Sequence, residues 1–176
     1  MLTHTPVWRA ARYRDGLAPL RFQCPACRKT ETDLTAVQAD GWACPDCGER
    51  WGASDGVIGG LTQDARSHYA QFFEDYLAIR HAEGRGSDDP AYYLELPFRR
   101  GDGPVDWQWP MRAATYRCFE RKVLAPIEQA AGRPLSILDL GAGVGWLSYR
   151  LAVRGHRPAA VDLLDDPLDG LGAAQH

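Results

Sequence analysis

Two pairs of cysteines constrain this chain more than any other feature of its sequence. Cys24 and Cys27 form the first pair, Cys44 and Cys47 form the second, and sixteen residues separate the two. Each Cys-x-x-Cys places two thiolates on one tight turn, and two such turns together complete a tetrahedral shell of four sulfurs. The spacing therefore predicts a structural zinc site with all four positions filled by protein. The alternatives are two unrelated pairs or a redox dithiol, but a redox dithiol would normally occur once and at a strand-to-helix junction.

The sequence around the cysteines predicts a small β-module over residues 1–60. Short alternating runs such as "LRFQC" and "GWACP" are typical of strands, and Gly48 permits a positive φ after the second pair. A module this small cannot bury a sufficient core, so the metal would hold it together. The runs "FQCPAC", "WACPDCGERW" and "DGVIGGL" resemble the zinc ribbons that are fused to methyltransferases or activate them.

Residues 61–133 are expected to form a helical lead-in region. Thr62 is a plausible N-cap, and Asp64 places a negative charge in the first turn, where it suits the helix dipole. Apolar side chains then recur at three- and four-residue spacing up to Gly84, which predicts an amphipathic helix. They are Ala65, Tyr69, Phe72, Phe73, Tyr76 and Leu77.

A second helix is predicted to begin at Pro110, because proline is favoured in a first helical turn. Pro126 should end or kink this helix, since proline lacks the N–H that continues the hydrogen-bond ladder. Cys118, the fifth cysteine, is expected to be a small buried hydrophobic residue.

Residues 134–176 predict a single β-α-β unit. The run "SILDL" has the length of a buried strand, "WLSYRLAVRG" is helical, and "PAAVD" forms a second strand. The fold class is therefore α/β: a small β zinc ribbon, a helical linker, and one strand-helix-strand unit.

A glycine-rich loop lies between the first strand and the helix of this unit. Gly141, Gly143 and Gly145 would let the backbone pass close to a bound ligand. A dinucleotide motif needs a further glycine where Trp146 stands, which disfavours NAD and FAD. No Gly-Lys-Ser/Thr follows the loop, so it is not a P-loop.

Two carboxylates flank the glycine loop. Asp139 precedes Gly141 by two residues, and Asp162 ends the second strand. Ligands of α/β sheets bind outside the carboxyl ends of the strands, so both acids are expected to face one crevice. Asp162 could accept two hydrogen bonds from ribose hydroxyls. Asp139 would repel a phosphate but suits a positively charged ligand.

The run "ILDLGAGVGWLSYRLAVRGHRPAAVD" resembles the first motif of the Rossmann-like, type 11-like methyltransferases that use S-adenosylmethionine. The resemblance implies that Asp139, Gly141 and Gly143 line the methionine end of this cofactor, with Gly145 in the same loop, and that Asp162 binds the ribose. The alternative is a structural loop in which Asp162 only caps a turn.

The runs "HYAQFFEDY", "YYLELPF", "WQWP" and "RAATYR" resemble the lead-in helices of zinc-ribbon methyltransferases, which pack over the cofactor crevice. The resemblance makes Tyr69, Arg112 and Tyr116 candidates for contacts to the cofactor carboxylate or the substrate. The alternative places both tyrosines in the core and the arginine at the surface. No catalytic residue can be named.

The resemblance implies an enzyme that transfers a methyl group to RNA or to a small molecule. A complete domain of that class has about seven strands, whereas this chain supplies two, so we expect an N-terminal portion too short to be active alone. Its unpaired strands predict either self-association through the truncated sheet or disorder from about Gly155 onward. The alternative function is a non-catalytic zinc-ribbon binding module that carries a vestigial methyltransferase fragment.

The formal net charge of −3 and the pI of about 5.9 give no bulk electrostatic reason for binding nucleic acid or an anionic membrane. Neither a signal peptide nor an apolar run of membrane-spanning length is visible. We therefore expect the protein to be cytoplasmic. In the reducing cytoplasm, paired cysteines bind metal more often than they form disulfides.

Overall fold

The computed structural model describes residues 21–29, 31–33, 41–54 and 57–175. It contains helices and small sheets in two compact units, which confirms a mixed α/β fold at the level of secondary structure. The first unit includes the described residues up to Gly60 together with Gln175, and the second spans Leu61–Ala174. Among the described residues, no helix combines the length and the apolar character needed to cross a membrane.

Five short strands lie in the described part of the first unit. They are β1 (Arg21–Gln23), β2 (Glu31–Asp33), β3 (Gly41–Ala43), β4 (Arg50–Ser54) and β5 (Val57–Ile58). β1 pairs with β2, and β4 pairs with both β3 and β5, always antiparallel. Trp42 lies opposite Trp51 across β3 and β4. A side chain at Gly41 would collide with the carbonyl oxygen of Trp51, so this close strand approach requires glycine.

The second unit begins with the helix α1 (Gln63–Ala82). The predicted N-cap is confirmed, since the Thr62 hydroxyl accepts the backbone N–H of Ala65 at 3.2 Å. The predicted end is confirmed as well, because Gly84 follows the helix with φ +70°.

The predicted apolar face of α1 is not buried, and no residue of this helix belongs to the core. Phe72 remains 47% exposed. The rings stack along the helix instead, with 5.5 Å between the ring centroids of Phe72 and Tyr76. An ion pair between Arg80 and the buried Asp169 anchors the last turn of the helix.

A short helix, α2 (Pro90–Glu95), follows the loop after α1. The resemblance of "YYLELPF" to a lead-in helix covers its last four residues, but its bounds were not predicted. The Asp89 side chain accepts the backbone N–H of Ala91 at 3.0 Å, and Pro90 occupies the first turn. Six residues are too few to show helical periodicity, but an aspartate cap followed by proline was a local signal. Tyr92 and Tyr93 of this helix are buried.

One continuous helical stretch comprises α3 (Trp109–Phe119), a π-helical turn (Glu120–Leu124) and α4 (Ala125–Ala131). Pro126 neither ends nor breaks it, because the preceding turn is widened. The N–H of Ala125 donates to the carbonyl of Glu120, five residues back. Cys118 is exposed, which corrects the expectation that it is buried. It lies away from the face through which Ala113 and Tyr116 enter the core.

The predicted β-α-β unit is present as β6 (Ser136–Leu140), α5 (Trp146–Val153) and β7 (Arg157–Val161). The two strands are parallel, with Leu138 opposite Ala159 and Leu140 opposite Val161. One face of this pair is bare, since Leu138 is 65% and Leu140 77% exposed.

The main core of the second unit joins α2 and α3 to the glycine loop. It contains Tyr92, Tyr93, Leu96, Trp109 and Ala173, against which Val144 and Trp146 pack. Ala173 comes from a 3-10 helix, Leu171–Gln175, so the chain beyond β7 returns to the loop.

Arg150 fastens α5 to the end of α2. Its Nε donates to the carbonyl of Leu96 and its Nη2 to the carbonyl of Leu94, both at 2.7 Å. Leu94 lies in the last turn of α2 and Leu96 directly follows the helix, where backbone carbonyls have no intrahelical partner. One guanidinium therefore satisfies two backbone groups of another element.

Replacing Arg150 by Gln should destabilise the second unit by about 3 kcal/mol, because two charge-assisted hydrogen bonds are lost. Arg121→Gln, an exposed site on the π-helical turn, is the matched control and should change stability little. Urea denaturation measures the free energy of unfolding of both variants. An unchanged midpoint for Arg150→Gln would show that these bonds do not contribute.

Candidate metal centre and glycine loop

The four paired cysteines lie close together, as their spacing predicted. The Sγ atoms of Cys24 and Cys47 are 3.8 Å apart, and those of Cys27 and Cys44 are 3.7 Å apart. All four ligand atoms lie within 4.8 Å of one another. A tetrahedron with zinc–sulfur bonds of 2.3 Å has sulfur–sulfur edges of about 3.8 Å. The cluster could therefore hold a metal ion, and its size is compatible with zinc.

The two cysteine pairs sit on turns of the same design. The N–H of Arg28 donates to the carbonyl of Cys24 at 2.8 Å, and that of Gly48 donates to Cys44 at 2.9 Å. Both residues are in the left-handed region, Arg28 with φ 59° and Gly48 with φ 76°. A non-glycine residue is uncommon there, and such strain tends to persist at functional sites.

An apolar wall shields one side of the sulfur cluster. Cys24 and Cys44 are buried with Trp51, and Trp42 and Ile58 pack against them. Four protein thiolates would fill a tetrahedral shell and leave no position for a substrate. A metal held here would stabilise the strands and would not take part in a reaction.

The glycine loop is held against the end of β7 by backbone hydrogen bonds. The N–H groups of Gly141 and Ala142 both donate to the carbonyl of Val161, at 2.8 and 3.2 Å. The three glycines have φ values of 75°, 54° and 73° along the chain. A Cβ at Gly141 or Gly143 would meet no atom within 4 Å, so the space beside these two residues is open.

The two flanking carboxylates occupy different surroundings. Asp162 accepts the N–H of Gly143 at 2.8 Å with one oxygen and that of Leu164 at 3.1 Å with the other. Asp139 is only 8% exposed and accepts the Ser148 hydroxyl at 2.8 Å. Asp162 thus joins the loop to the turn after β7, while Asp139 ties β6 to α5.

Tyr116 and Tyr69, two of the three candidates from the lead-in helices, do not come together at the glycine loop. Tyr116 is buried, with its ring centroid 5.8 Å from those of Trp146 and Phe98. Burial, together with the carboxylate of Glu120, raises the pKa of Tyr116 to about 12. Tyr69 lies on the exposed face of α1. Tyr116 therefore supports the start of α5 from within the core.

Arg112 lies at the surface of α3 as a cation without an ion pair among the described residues. Its Nε donates to the buried side chain of Gln108 at 3.1 Å, and its guanidinium lies over the ring of Trp109 at 5.4 Å. Partial burial, followed by the charges of Arg85 and Arg80, lowers its pKa. Arg112 can still accept an anionic partner, because even a lowered arginine pKa lies far above neutrality.

Sequence reasoning missed the segment between Asp162 and Gln175. A Cβ at Gly145 would lie 3.4 Å from the Ala174 side chain, so this segment reaches the loop. Gly172 allows the return, because a Cβ there would collide with the carbonyl of Asp165 at 2.5 Å. The run of small residues "GLGAA" was the available signal for such close packing.

Comparison of the chain with protein-family models, curated proteins and solved structures finds no match. The chemistry of both sites therefore has to be inferred from their own residues and geometry.

We expect one zinc ion per chain in protein purified without chelators, and loss of this metal in Cys44→Ser, which removes one of four ligands. The first unit should then unfold while the helices of the second remain. Elemental analysis and circular dichroism measure the two effects, with the exposed Cys118→Ser as control. Less than half an equivalent of zinc in the unmodified protein would contradict the assignment.

Gly48→Ala should weaken the metal centre through the backbone alone. A Cβ at Gly48 meets no atom within 4 Å, so the cost is the left-handed conformation itself, about 1 kcal/mol. Gly52→Ala is the matched control, because its site is equally open and its φ lies outside the left-handed region. Competition with a zinc-sensitive dye measures the affinity. Equal affinities for the two variants would show that the turn tolerates a side chain.

Proposed function

We propose that the second unit binds S-adenosylmethionine at the glycine loop and serves methyl transfer, and that the four cysteines of the first unit hold a structural zinc ion. In this proposal residues 134–176 are the start of a Rossmann-like domain. One observation carries it: an open loop with three left-handed glycines follows the first of two parallel strands, and a carboxylate at the end of the second strand holds it.

The hydrogen-bond donors of the loop favour this cofactor over a phosphate ligand. The N–H groups of Gly141, Ala142 and Gly143 are all used within the chain, by Val161 and Asp162. A phosphate needs such free N–H groups at a glycine loop. A ligand that donates its own hydrogen bonds needs none of them.

Asp162 retains the capacity to bind a ribose. Each carboxylate oxygen has two lone pairs, and the structure uses one on each oxygen, toward Gly143 and Leu164. Two ribose hydroxyls could donate to the remaining positions. Each such bond to a charged acceptor contributes about 1.5–3 kcal/mol. Capping the loop and binding the ribose are therefore compatible roles for Asp162.

Asp139 is proposed to act through its charge. It lies at the carboxyl end of β6, and its burial leaves little surface for direct contact. A carboxylate held there by Ser148 favours a ligand that carries sulfonium and ammonium groups. When bound, S-adenosylmethionine supplies an activated methyl group, and the residues of this chain bind and orient it.

The methyl acceptor in this proposal is RNA or a small molecule. The competing proposal is a binding module in which the loop is vestigial and takes no cofactor. Self-association through the β6–β7 sheet stays a prediction, supported by the exposed leucines on its bare face.

The product analogue S-adenosylhomocysteine should bind with a dissociation constant on the order of 0.1–1 mM, since two strands cover only part of such a ligand. Asp162→Asn should weaken binding at least about tenfold, because the ribose loses a charged acceptor. Asp165→Asn, an exposed acid three residues away, is the matched control. Saturation-transfer NMR measures the dissociation constant of the ligand for the unmodified protein and both variants.

No saturation transfer at millimolar ligand would overturn the cofactor proposal and favour the vestigial module. Equal loss of affinity in both variants would show that Asp162 contributes through its negative charge alone and not through hydrogen bonds to the ribose.

A further inference from the structure

A group of arginines surrounds one exposed aromatic ring on the second unit. The guanidinium carbons of Arg117 and Arg150 lie 5.1 and 5.2 Å from the centroid of the Phe98 ring. A shallow depression opens beside this ring. It is lined by Glu95, Phe98, Arg99, Arg100 and Arg150.

Most of the positive charge at this depression is not neutralised. Arg99 is paired with Glu95 at 3.1 Å and lies 3.6 Å from buried Asp106. In contrast, Arg100, Arg117 and Arg150 make no ion pair with any residue that the structure describes. A local excess of cations is thus present on a chain whose formal net charge is −3.

Two of these cations are held in place before any ligand arrives. Arg150 is fixed by its bonds to the carbonyls of Leu94 and Leu96, which use Nε and Nη2 and leave Nη1 to another acceptor. Arg117 is exposed on α3, a helix without acidic residues, and lies over the ring of Phe98. The cost of ordering these side chains on binding is therefore low.

We propose that Phe98, Arg100, Arg117 and Arg150, together termed the Phe98 surface, bind single-stranded nucleic acid. Guanidinium groups pair with phosphates in a forked geometry, and their planes also stack on bases. Only a single strand offers unstacked bases to an exposed ring and to those planes. An acidic peptide would pair with the arginines but would leave the ring without a partner. This binding does not depend on methyl transfer or on a bound cofactor.

Fluorescence anisotropy with a labelled oligouridine of about 12 nucleotides tests the proposal on the intact chain. We expect affinity to fall steeply between about 50 and about 200 mM salt, because phosphate contacts release counterions. The double variant Arg100→Ala/Arg117→Ala removes two contacts. Its log–log salt slope should be shallower by about 1.4, and its affinity at about 100 mM salt lower by roughly 10- to 30-fold.

The matched control is Arg66→Ala/Arg133→Ala, which removes the same charge from two exposed sites on α1 and after α4. It should bind within about twofold of the unmodified protein, since long-range charge effects are screened in salt. Phe98→Leu keeps every charge and should weaken binding about tenfold, because the ring that supports two guanidinium groups is lost. Unchanged thermal midpoints establish that the variants fold.

Four results would overturn the proposal. The first is absence of binding at low salt. The second is an equal loss of affinity in the test and control double variants. The third is displacement of the oligouridine by polyglutamate of the same charge at equal concentration, which would indicate a surface for acidic peptides. The fourth is equally tight binding of a duplex.

Discussion

The attachment of the glycine loop to the end of β7 determines what the second unit can do. Val161 and Asp162 together receive three successive N–H groups, from Gly141 to Gly143. Loops of this kind bind phosphates elsewhere because those donors are free. In this chain the three N–H groups donate to residues at the end of β7, and these bonds hold the ends of β6 and β7 together. A ligand beside the loop would therefore meet carboxylate oxygens instead of free N–H groups. The same few bonds therefore stabilise the unit and select the chemistry of what it can bind.

The first unit depends on a different constraint, since its strands are too short to bury a core. Trp51, a buried side chain of this unit, packs on two of the four cysteines. Four thiolates at these distances would repel one another, whereas a divalent cation held between them would link both turns. The left-handed backbone at Arg28 and Gly48 shapes these turns, and the binding free energy of such a cation would offset the strain at Arg28, the non-glycine residue of the two.

Features that depend on the geometry of a few consecutive residues could be predicted from the sequence. Features that depend on contacts between residues distant in sequence could not. The cysteine cluster follows from two tight turns, and the Thr62 cap from one side chain and one N–H. Burial is different, because it is decided by what the rest of the chain places nearby. The aromatic residues of α1 have helical spacing yet stay exposed, and Cys118 lies outside the core for the same reason. The return of the chain to Gly145 was likewise missed, since the small residues of "GLGAA" indicate close packing but not which element they pack against.

The arginines show why the composition of this chain says little about its surface. Arg80 and Arg154 are matched by carboxylates, so they contribute to stability and add little to the external field. Arg150 is different, because backbone carbonyls satisfy two of its donors while its charge stays uncompensated. Lysine at this position would keep the charge but could not span the two carbonyls with a rigid fork. Structural and electrostatic roles therefore coincide in one guanidinium, and only arginine can fill both.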